Sequence, residues 1–306
     1  MKLTIISIYY NRQNYVEESV NSLVSQISNE YEVILVDDGS TDNTLDELNK
    51  FKSENVKVIT QNNFGFTPTI KKVIQNIDTD FVAIHGSGDV SLAGRFDKQL
   101  AFLESNPSYG VVGCYCLFTD ILTKENVSTF GHNIDGDAQF ELLNYNLFTH
   151  GEVMFKKSFY DQVGGYREQF KFSQDYDLWL RMSAVCKFHT LKEPLYKRMI
   201  NVDGSVNSNA QKLYHQLLFS EFAKYCHRNR LANGIDPLDK FGMGSLLAFN
   251  LDRSALIKLW KKSVLEGQDF LIYCPKTFLS CLFRFSIPLL SPFSKVISKL
   301  FGKNRV

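Results

Sequence analysis

The sequence predicts an α/β protein with a mostly parallel sheet, because strand patterns and helical patterns alternate along its N-terminal third. Short runs of apolar, largely β-branched residues are typical of buried strands. The predicted strands are Leu3–Tyr10, Tyr31–Val36, Val56–Thr60 and Phe81–Ile84. Apolar residues at helical spacing predict helices between them at Val16–Gln26, Thr44–Ser53 and Thr67–Gln75. A short helical crossover between consecutive strands favours parallel pairing.

The pattern changes in the middle of the chain. The predicted elements there are a strand at Val111–Phe118, a polar loop that runs to Asp137, a short strand at Glu152–Phe155 and a helix at Asp177–Ala184. Beyond Asn201 the chain becomes helical, with predicted helices at Gln211–His227, Leu238–Asn250 and Leu251–Glu266. We therefore predict an α/β domain over residues 1–206 and a helical C-terminal region over residues 207–306.

Composition excludes several classes of protein. A chain of 306 residues with 44% hydrophobic and 22% charged residues is typical of a globular protein. The formal net charge of +1 gives no reason to expect a nucleic acid as partner. The cysteines show no Cys-x-x-Cys spacing, which favours reduced thiols in a cytosolic protein. No signal peptide and no apolar run near the ~20 residues that span a bilayer are visible, so a cytoplasmic location is expected.

The C-terminal tail differs in composition from the rest of the chain. From Arg253 onward, basic residues lie among phenylalanines and leucines, and Pro275, Pro288 and Pro292 interrupt the apolar runs. Such a basic amphipathic segment is typical of a protein that lies on an anionic membrane surface. We therefore expect peripheral contact with the cytoplasmic face of the inner membrane. The alternative is that the apolar face packs on the protein itself or on a partner.

Polar residues follow two of the predicted strands at the edge where an open α/β sheet binds its ligands. Tyr10, Asn11 and Arg12 follow the first strand, where an aromatic ring and an amide can stack on and hydrogen-bond a nucleobase. Asp37 and Asp38 end the second strand, and carboxylates there can accept hydrogen bonds from a base or from ribose hydroxyls. The alternative is an ordinary strand–turn–helix junction with capping aspartates.

Two later segments carry carboxylates in contexts that suit a chemical role. In Gly86-Ser87-Gly88-Asp89 the glycines allow a close backbone approach to a ligand, and Asp89 can bind a hard cation or ribose. A tight turn with a capping aspartate is the alternative. Asp175 precedes a predicted helix, whose N-terminus favours an ionised carboxylate that is available as a general base. A plain helix cap is the alternative there. His150, before a short strand, can contact a substrate or be structural.

Taken in order, these segments resemble the family 2 glycosyltransferases. The matching elements are Tyr10-Asn11-Arg12, Val36–Asp42, Asn63-Phe64-Gly65, Gln174–Arg181 and Pro194–Arg198. The second of these matches the family's Val-Asp-Asp-Gly-Ser-Thr-Asp element without change. The fourth matches Glu-Asp-Tyr-Asp-Leu-Trp-Leu-Arg with glutamine in place of the first glutamate, and the fifth matches Pro-Leu-Tyr-x-Arg. The resemblance covers residues 1–206.

The resemblance implies a GT-A fold and an enzyme of bacterial surface-polysaccharide synthesis. The implied reaction is an inverting transfer of a sugar from a nucleotide-diphosphate donor to a hydroxyl of a glycan or lipid-linked acceptor. Asp175 is the implied catalytic base, and Mg²⁺ or Mn²⁺ is the implied cofactor with Asp89 as its candidate ligand. The residues expected to bind substrate are Tyr10, Asn11, Arg12, Asp37, Asp38, Gly65, Gly88, Asp89, Arg95, His150 and Gln174.

One departure from the family pattern concerns the metal. The family usually has an Asp-x-Asp element after the fourth strand, whereas both aspartate positions are glycine here, Gly86 and Gly88. Three alternatives follow: weak metal binding through Asp89, a cation such as Arg95 or Lys98 in place of the metal, or poor catalysis. The third leaves open a degenerate protein that binds sugar nucleotides or acts as a scaffold. A dinucleotide-dependent dehydrogenase is disfavoured, because the first strand is not followed by Gly-x-Gly-x-x-Gly.

Overall fold

A computed structural model of the chain describes residues 1–200 and 210–249. Its N-terminal part contains the strands and helices that the sequence predicts, with ends that differ by a few residues. These elements are β1 (Leu3–Tyr9), α1 (Val16–Val24), β2 (Tyr31–Asp37), α2 (Thr44–Asn49), β3 (Val56–Thr60), α3 (Phe66–Gln75) and β4 (Phe81–His85). The buried residues of α1 recur at helical spacing, at Val16, Val20 and Leu23, which is why this segment forms an amphipathic helix.

The strands β1 to β4 form the parallel part of the sheet, as the sequence predicts. Parallel ladders join β3 to β2, β2 to β1 and β1 to β4. Ile6 and Val36 belong to one buried cluster, and Ile5 and Leu35 belong to another, because successive side chains of a strand point to opposite faces. The carboxyl ends of β1, β2 and β4 therefore meet at one edge of the sheet.

The sheet continues beyond β4 through strands of mixed direction. The further elements are β5 (Val90–Ser91), α4 (Arg95–Ser105), β6 (Tyr109–Asp120), β7 (Asn126–Phe130), β8 (Asp135–Gly136), β9 (Met154–Lys156), α5 (Lys157–Gln162), α6 (Gln174–Met182) and β10 (Lys187–Ile200). The strand order is β3-β2-β1-β4-β9-β6-β10-β5, with β7 paired to β6 and β8 paired to β10. β9 is antiparallel to both of its neighbours, whereas β10 is parallel to β6 and antiparallel to β5.

Several elements of this region differ from the sequence prediction. The prediction of a polar loop up to Asp137 is wrong, because β7 and β8 occupy part of that segment. These strands are largely exposed, so they lack the apolar pattern of a buried strand. β10 is not predicted because Pro194 and several charged residues interrupt its pattern, and the ladder shifts register on both sides of that proline. The helices α4 and α5 are also absent from the prediction.

Three helices make up the described part of the C-terminal region: α7 (Ala210–Asn233), α8 (Pro237–Phe241) and α9 (Ser245–Ala248). The prediction of a single helix over Leu238–Asn250 is wrong, because a 3-10 turn at Gly242–Gly244 separates α8 from α9. Within the two described segments, every helix is too short or too polar to cross a membrane. The predicted boundary between residues 206 and 207, the helix Leu251–Glu266 and the basic tail lie outside the described residues.

Arg95, the first residue of α4, is fully buried below the turn that follows β4. Its guanidinium donates to Ser91 Oγ at 2.8 Å, to Gln99 Oε1 at 3.1 Å and to the Ile84 carbonyl oxygen at 2.9 Å. Its central carbon also lies 4.8 Å from the centroid of the Tyr196 ring. The expectation that Arg95 contacts substrate is therefore corrected, because a side chain with 0% exposure has no open face for a diphosphate.

Replacing Arg95 with methionine should lower the free energy of unfolding by about 3 kcal/mol. Methionine fills much of the same volume, but it leaves Ser91, Gln99 and the Ile84 carbonyl without a buried donor. Urea denaturation followed by circular dichroism measures the difference. The control is Lys98→Met on the same helix, since Lys98 forms an exposed ion pair with Glu193 and should contribute less than about 1 kcal/mol. Equal losses in both variants would contradict a structural role for Arg95.

Candidate active site

The loops that follow β1 and β2 are joined by hydrogen bonds. Asn11 N donates to Ser40 Oγ at 3.0 Å, and Arg12 N donates to Thr44 Oγ1 at 2.7 Å. Asn11 adopts a left-handed backbone with φ of 52°, a conformation that asparagine tolerates better than most residues. Tyr10 is 47% exposed, so its ring is accessible at this edge of the sheet. The structure thus brings Tyr10, Asn11 and Arg12 next to the end of β2, as the sequence predicts.

Both carboxylates at the end of β2 are buried and accept hydrogen bonds from within the chain. Asp37 accepts from Thr60 Oγ1 at 3.0 Å. The donors to Asp38 are Gln61 Nε2 at 2.7 Å, Gly65 N at 2.9 Å, Thr69 Oγ1 at 3.0 Å and Phe64 N at 3.1 Å. Asp38 therefore holds the loop before α3 against the end of β2, and Gly65, with φ of 84°, leads into that helix. Direct contact of these residues with a nucleoside stays a prediction.

The turn after β4 lies on a buried network of hydroxyl and imidazole groups. Gly88 N donates to Ser19 Oγ at 3.2 Å, and that oxygen lies 3.1 Å from His85 Nε2. The same His85 nitrogen lies 3.0 Å from the carbonyl oxygen of Asp89, and His85 Nδ1 lies 3.1 Å from Ser91 Oγ. Burial, aided by the nearby charge of Arg95, lowers the pKa of His85 to about 3. The imidazole is thus a neutral structural group that fixes the backbone of the turn.

Tyr196 of β10 connects this turn with the opposite side of the site. Its hydroxyl accepts from Gly86 N at 2.9 Å and donates to Asp89 Oδ2 at 2.6 Å. Met199 N donates to Asp89 Oδ1 at 2.8 Å. Burial raises the pKa of Asp89, although these two hydrogen bonds oppose that effect. The Tyr196 hydroxyl also packs on Gly151, where a Cβ atom would lie only 2.1 Å from it, so the close approach requires glycine.

A divalent metal ion does not fit the side chains of this turn. Mg²⁺ and Mn²⁺ prefer oxygen ligands, above all carboxylates. Gly86 and Gly88 offer no side-chain ligand, and each oxygen of Asp89 already accepts a hydrogen bond. Over residues 1–200 and 210–249, no group of three or more His, Cys, Asp or Glu side chains is arranged to hold a metal ion. The described residues therefore do not supply the ligand set that the resemblance implies for Asp89 and its neighbours.

Asp175 lies in the first turn of α6, whereas the sequence prediction places it just before a helix that begins at Asp177. The helix begins at Gln174, directly after Ser173, whose left-handed backbone has φ of 54°. Ser173 Oγ donates to the Gln216 carbonyl of α7 at 2.8 Å, which fixes the start of α6. The Asp175 carboxylate is partly exposed, and its Oδ2 accepts from Asn146 Nδ2 at 2.8 Å. One carboxylate oxygen is thus held by a neutral donor, and Gln174 lies beside it, also partly exposed.

His150 lies near Asp175 in an unusual backbone conformation, with φ of 84°. Its Nε2 is 2.7 Å from the Tyr166 hydroxyl, and its ring packs edge-on against Phe66 at a centroid distance of 5.3 Å. Burial lowers the pKa of His150, while the nearby charge of Asp175 opposes that shift. Since Phe66 is the first residue of α3, His150 links the Asp175 helix to the loop that Asp38 holds.

A buried ion cluster fixes the orientation of α6. The Asp177 carboxylate accepts from Arg181 Nη2 at 2.8 Å and also from Arg167. Arg167 reaches Asp236, at the start of α8, at 2.9 Å. Although burial alone raises the pKa of Asp177, the charges of Arg181 and Arg167 outweigh it and hold the pKa at about 2. Asp177, the first residue of the helix predicted from the sequence, lies in the first turn of α6, and the structure adds its ionic role.

Four residues of this region are not singled out by the sequence prediction. Tyr196 and Arg198 belong to the Pro-Leu-Tyr-x-Arg element, so a signal for them is present in the sequence. Asn146 and Tyr166 lie in irregular segments before and after the short strand β9, where no local pattern marks them. Tertiary contacts alone bring these two side chains to Asp175 and His150.

The family model described as glycosyl transferase family 2 matches residues 4–164. The chain belongs to this family. The glycosyltransferase is 30% identical over 205 residues to the putative glycosyltransferase EpsE of Bacillus subtilis (strain 168), and the alignment covers 64% of the chain and 72% of EpsE. The recognition of a family 2 glycosyltransferase from the sequence is thereby confirmed, and so is the class of enzyme.

Two solved structures share the fold of this glycosyltransferase. S. aureus TarS 1-349 in complex with UDP-GlcNAc has a TM-score of 0.60 at 18% identity, over 83% of this chain and 77% of that chain. The mannosyltransferase PcManGT from Pyrobaculum calidifontis, in complex with GDP-Man and Mn²⁺, has a TM-score of 0.55 at 15% identity, over 99% of this chain and 88% of that chain. At these identities the likeness shows the fold alone, and the GT-A fold expected from the sequence is confirmed.

Replacing Asp177 with asparagine should lower the free energy of unfolding at pH 7 by about 3–5 kcal/mol, because the buried guanidinium of Arg181 and the largely buried one of Arg167 lose their carboxylate. The pKa of about 2 lies below the ordinary value of 3.8. The stabilisation by the carboxylate is therefore complete above about pH 4 and is lost as the pH falls toward 2. Urea denaturation between pH 7 and pH 2.5 should show a steeper loss in the wild type than in the variant.

The matched control for this experiment is Asp161→Asn on α5. Asp161 is 53% exposed and pairs with Lys157, so its removal should change the stability by less than about 1 kcal/mol. A pH dependence of stability that is the same in the Asp177 variant and in the wild type would show that the ion cluster is not buried and coupled as described.

Proposed function

We propose that this glycosyltransferase moves a sugar from a nucleotide-diphosphate donor to a hydroxyl of a glycan or lipid-linked acceptor, with inversion at the anomeric carbon. The observation that carries the proposal is the Asp175 carboxylate, partly exposed in the first turn of α6 and held by Asn146. The donor class is supported by the GT-A relatives TarS and PcManGT, whose structures contain UDP-GlcNAc and GDP-Man.

In the proposed reaction Asp175 accepts the proton of the acceptor hydroxyl while that oxygen attacks the anomeric carbon. The bond between this carbon and the diphosphate oxygen breaks in the same displacement, so the configuration inverts. Asn146 fixes the direction of the carboxylate through its 2.8 Å hydrogen bond. Burial lowers the pKa of His150, which favours the neutral form of its ring. The ring is held by the Tyr166 hydroxyl, and in its neutral form it does not form an ion pair with Asp175. General-base assistance of this kind contributes about 10²–10⁴ to the rate.

The nucleoside of the donor is proposed to bind at the edge formed by the ends of β1 and β2. The exposed ring of Tyr10 can stack on a base, and Arg12 lies in the same loop. Asp37 and Asp38 hold the loops that shape this edge, and Asp38 also fixes Gly65 at the start of α3. The Gly86–Asp89 turn, with Gly88, is proposed to face the diphosphate.

The acceptor is proposed to be a growing surface polysaccharide or its lipid-linked precursor. This part rests on the sequence resemblance to transferases of bacterial surface-polysaccharide synthesis. A cytoplasmic location, with peripheral contact to the inner membrane through the basic tail, belongs to the same proposal. The tail itself lies outside the described residues.

The second candidate function is a protein that binds sugar nucleotides without turning them over. Gly86 and Gly88 favour it, because they replace the two aspartates that the family usually carries at this turn. The retained carboxylate of Asp175 favours an active enzyme instead. Turnover of a donor separates the two functions, since both predict nucleotide binding.

Replacing Asp175 with asparagine should lower the rate of donor turnover about 10²–10⁴-fold and leave donor affinity nearly unchanged, because only the proton acceptor is lost. The donor is first found by a thermal-shift screen of UDP-, GDP- and dTDP-sugars, since a bound ligand raises the melting temperature. Release of the nucleoside diphosphate then measures turnover, and NMR of the fresh hydrolysis product gives its anomeric configuration.

Asp161→Asn again serves as the matched control, because it removes an exposed carboxylate outside the site and should turn over donor like the wild type. A normal rate in the Asp175 variant would show that another group accepts the proton. A product that retains the donor configuration would rule out the single displacement. Nucleotide binding without turnover in the wild type, across all donors and with added acceptor glycans, would favour the second candidate function.

A further inference from the structure

The turn after β4 is built on its glycines and has no room for the carboxylates of the family pattern. Gly88 has φ of 97°, where L side chains are strained, and a Cβ atom there would lie 3.1 Å from Tyr15 Cβ. A Cβ atom at Gly86 would lie 2.2 Å from Asp89 Oδ2. An aspartate at Gly88 would therefore strain the backbone, and one at Gly86 would displace the Asp89 carboxylate from its place beside Tyr196. The site needs another source of positive charge if a diphosphate binds beside this turn.

The cations predicted for this role from the sequence are engaged with other partners. Arg95 is fully buried and donates to groups inside the protein. Lys98, on the next turn of α4, pairs with the exposed Glu193. A cation without such an ion pair lies on another element, next to Gly88 and Asp89.

Arg198 lies at this position on β10. The antiparallel ladder between β10 and β5 pairs Tyr196 with Ser91 and Lys197 with Val90, so the next residue, Arg198, lies opposite Asp89. Side chains alternate along a strand, and Arg198 therefore extends from the same face of β10 as Tyr196, whose hydroxyl contacts Asp89 and Gly86.

The Arg198 guanidinium is partly exposed and lies over the ring of Phe118, 5.7 Å from its centroid. Among the residues that the structure describes, it forms no ion pair with a carboxylate. Its charge acts on both sides of the site: it opposes the rise that burial causes in the pKa of Asp89, and it adds to the effect of burial that lowers the pKa of His150. A planar guanidinium is well suited to bind two phosphate oxygens at once.

We propose that Arg198 replaces the divalent metal ion of related enzymes and binds the diphosphate of the donor. This inference rests on the proposed function. When the acceptor oxygen bonds to the anomeric carbon, its proton goes to Asp175 and the electron pair of the broken bond goes to the leaving diphosphate. Arg198 neutralises the negative charge that develops there. Donor binding and turnover are consequently independent of Mg²⁺ and Mn²⁺.

The test compares the affinity of nucleoside diphosphates with that of the matching monophosphates in excess EDTA. The probes are UDP with UMP and GDP with GMP, measured by isothermal titration calorimetry on the full chain. In the wild type, the diphosphate should bind equally well in EDTA and in Mn²⁺, and better than the monophosphate. In Arg198→Gln its affinity should fall about 10–100-fold, with a change of less than about 3-fold for the monophosphate.

Two further variants separate a specific contact from a change in fold or net charge. Lys197→Gln removes a neighbouring positive charge from the opposite face of β10 and should bind both nucleotides like the wild type. Arg198→Lys keeps the charge but loses the bidentate geometry, so it should recover part of the lost affinity. Circular dichroism of each variant confirms that the fold is retained.

Two results overturn the inference and leave the proposed function standing. One is diphosphate binding that disappears in EDTA and returns with Mn²⁺, which would assign the phosphates to a metal. The other is a ratio of diphosphate to monophosphate affinity that is the same in Arg198→Gln and in the wild type. A protein that binds neither nucleotide, with or without metal, overturns both the inference and the proposed function.

Discussion

The buried hydroxyl of Tyr196 is the contact on which the rest of the site depends. It accepts from the backbone of Gly86, donates to Asp89 and packs on Gly151. Through these contacts a strand from late in the chain joins the turn after β4 to the segment that carries His150. Because the buried hydroxyl is both a donor and an acceptor, its two hydrogen bonds fix the positions of Gly86 and Asp89. The requirement for glycine at positions 86 and 151 follows from this packing.

The site also contains three residues other than glycine with left-handed backbones, namely Asn11, His150 and Ser173. Such conformations cost about 1–3 kcal/mol each and persist where the surrounding structure enforces them. Hydrogen bonds hold each of them: Asn11 N donates to Ser40, Ser173 Oγ donates to a carbonyl of α7, and the His150 ring pairs with the Tyr166 hydroxyl. The positions that present the candidate nucleoside edge and the Asp175 helix are therefore fixed by contacts from distant parts of the chain.

The charges in this region are divided between structural and accessible groups. Arg95 and the cluster of Asp177, Arg167 and Arg181 lie in the interior, where each charge has hydrogen-bond partners. Burial keeps His85 neutral and favours the neutral form of His150. Asp175 and Arg198 are partly exposed charges beside these groups. These two charges have opposite signs and suit the two groups of the proposed displacement. Asp175 accepts the proton of the attacking hydroxyl, and Arg198 binds the leaving diphosphate.

The sequence by itself determined the parallel half of the fold, the family and the position of Asp175, because these follow from local patterns: apolar runs, capping residues and an ordered set of motifs. Only the tertiary structure decided which side chains meet there. Arg95 and Arg198 carry the same charge, yet packing buries the first below a turn and exposes the second opposite Asp89. β10 is not predicted because its apolar pattern is interrupted. Its pairing with the neighbouring strands β6 and β5 holds it in the sheet. Contacts between residues far apart in the chain leave no periodic signal, and these contacts build the candidate site.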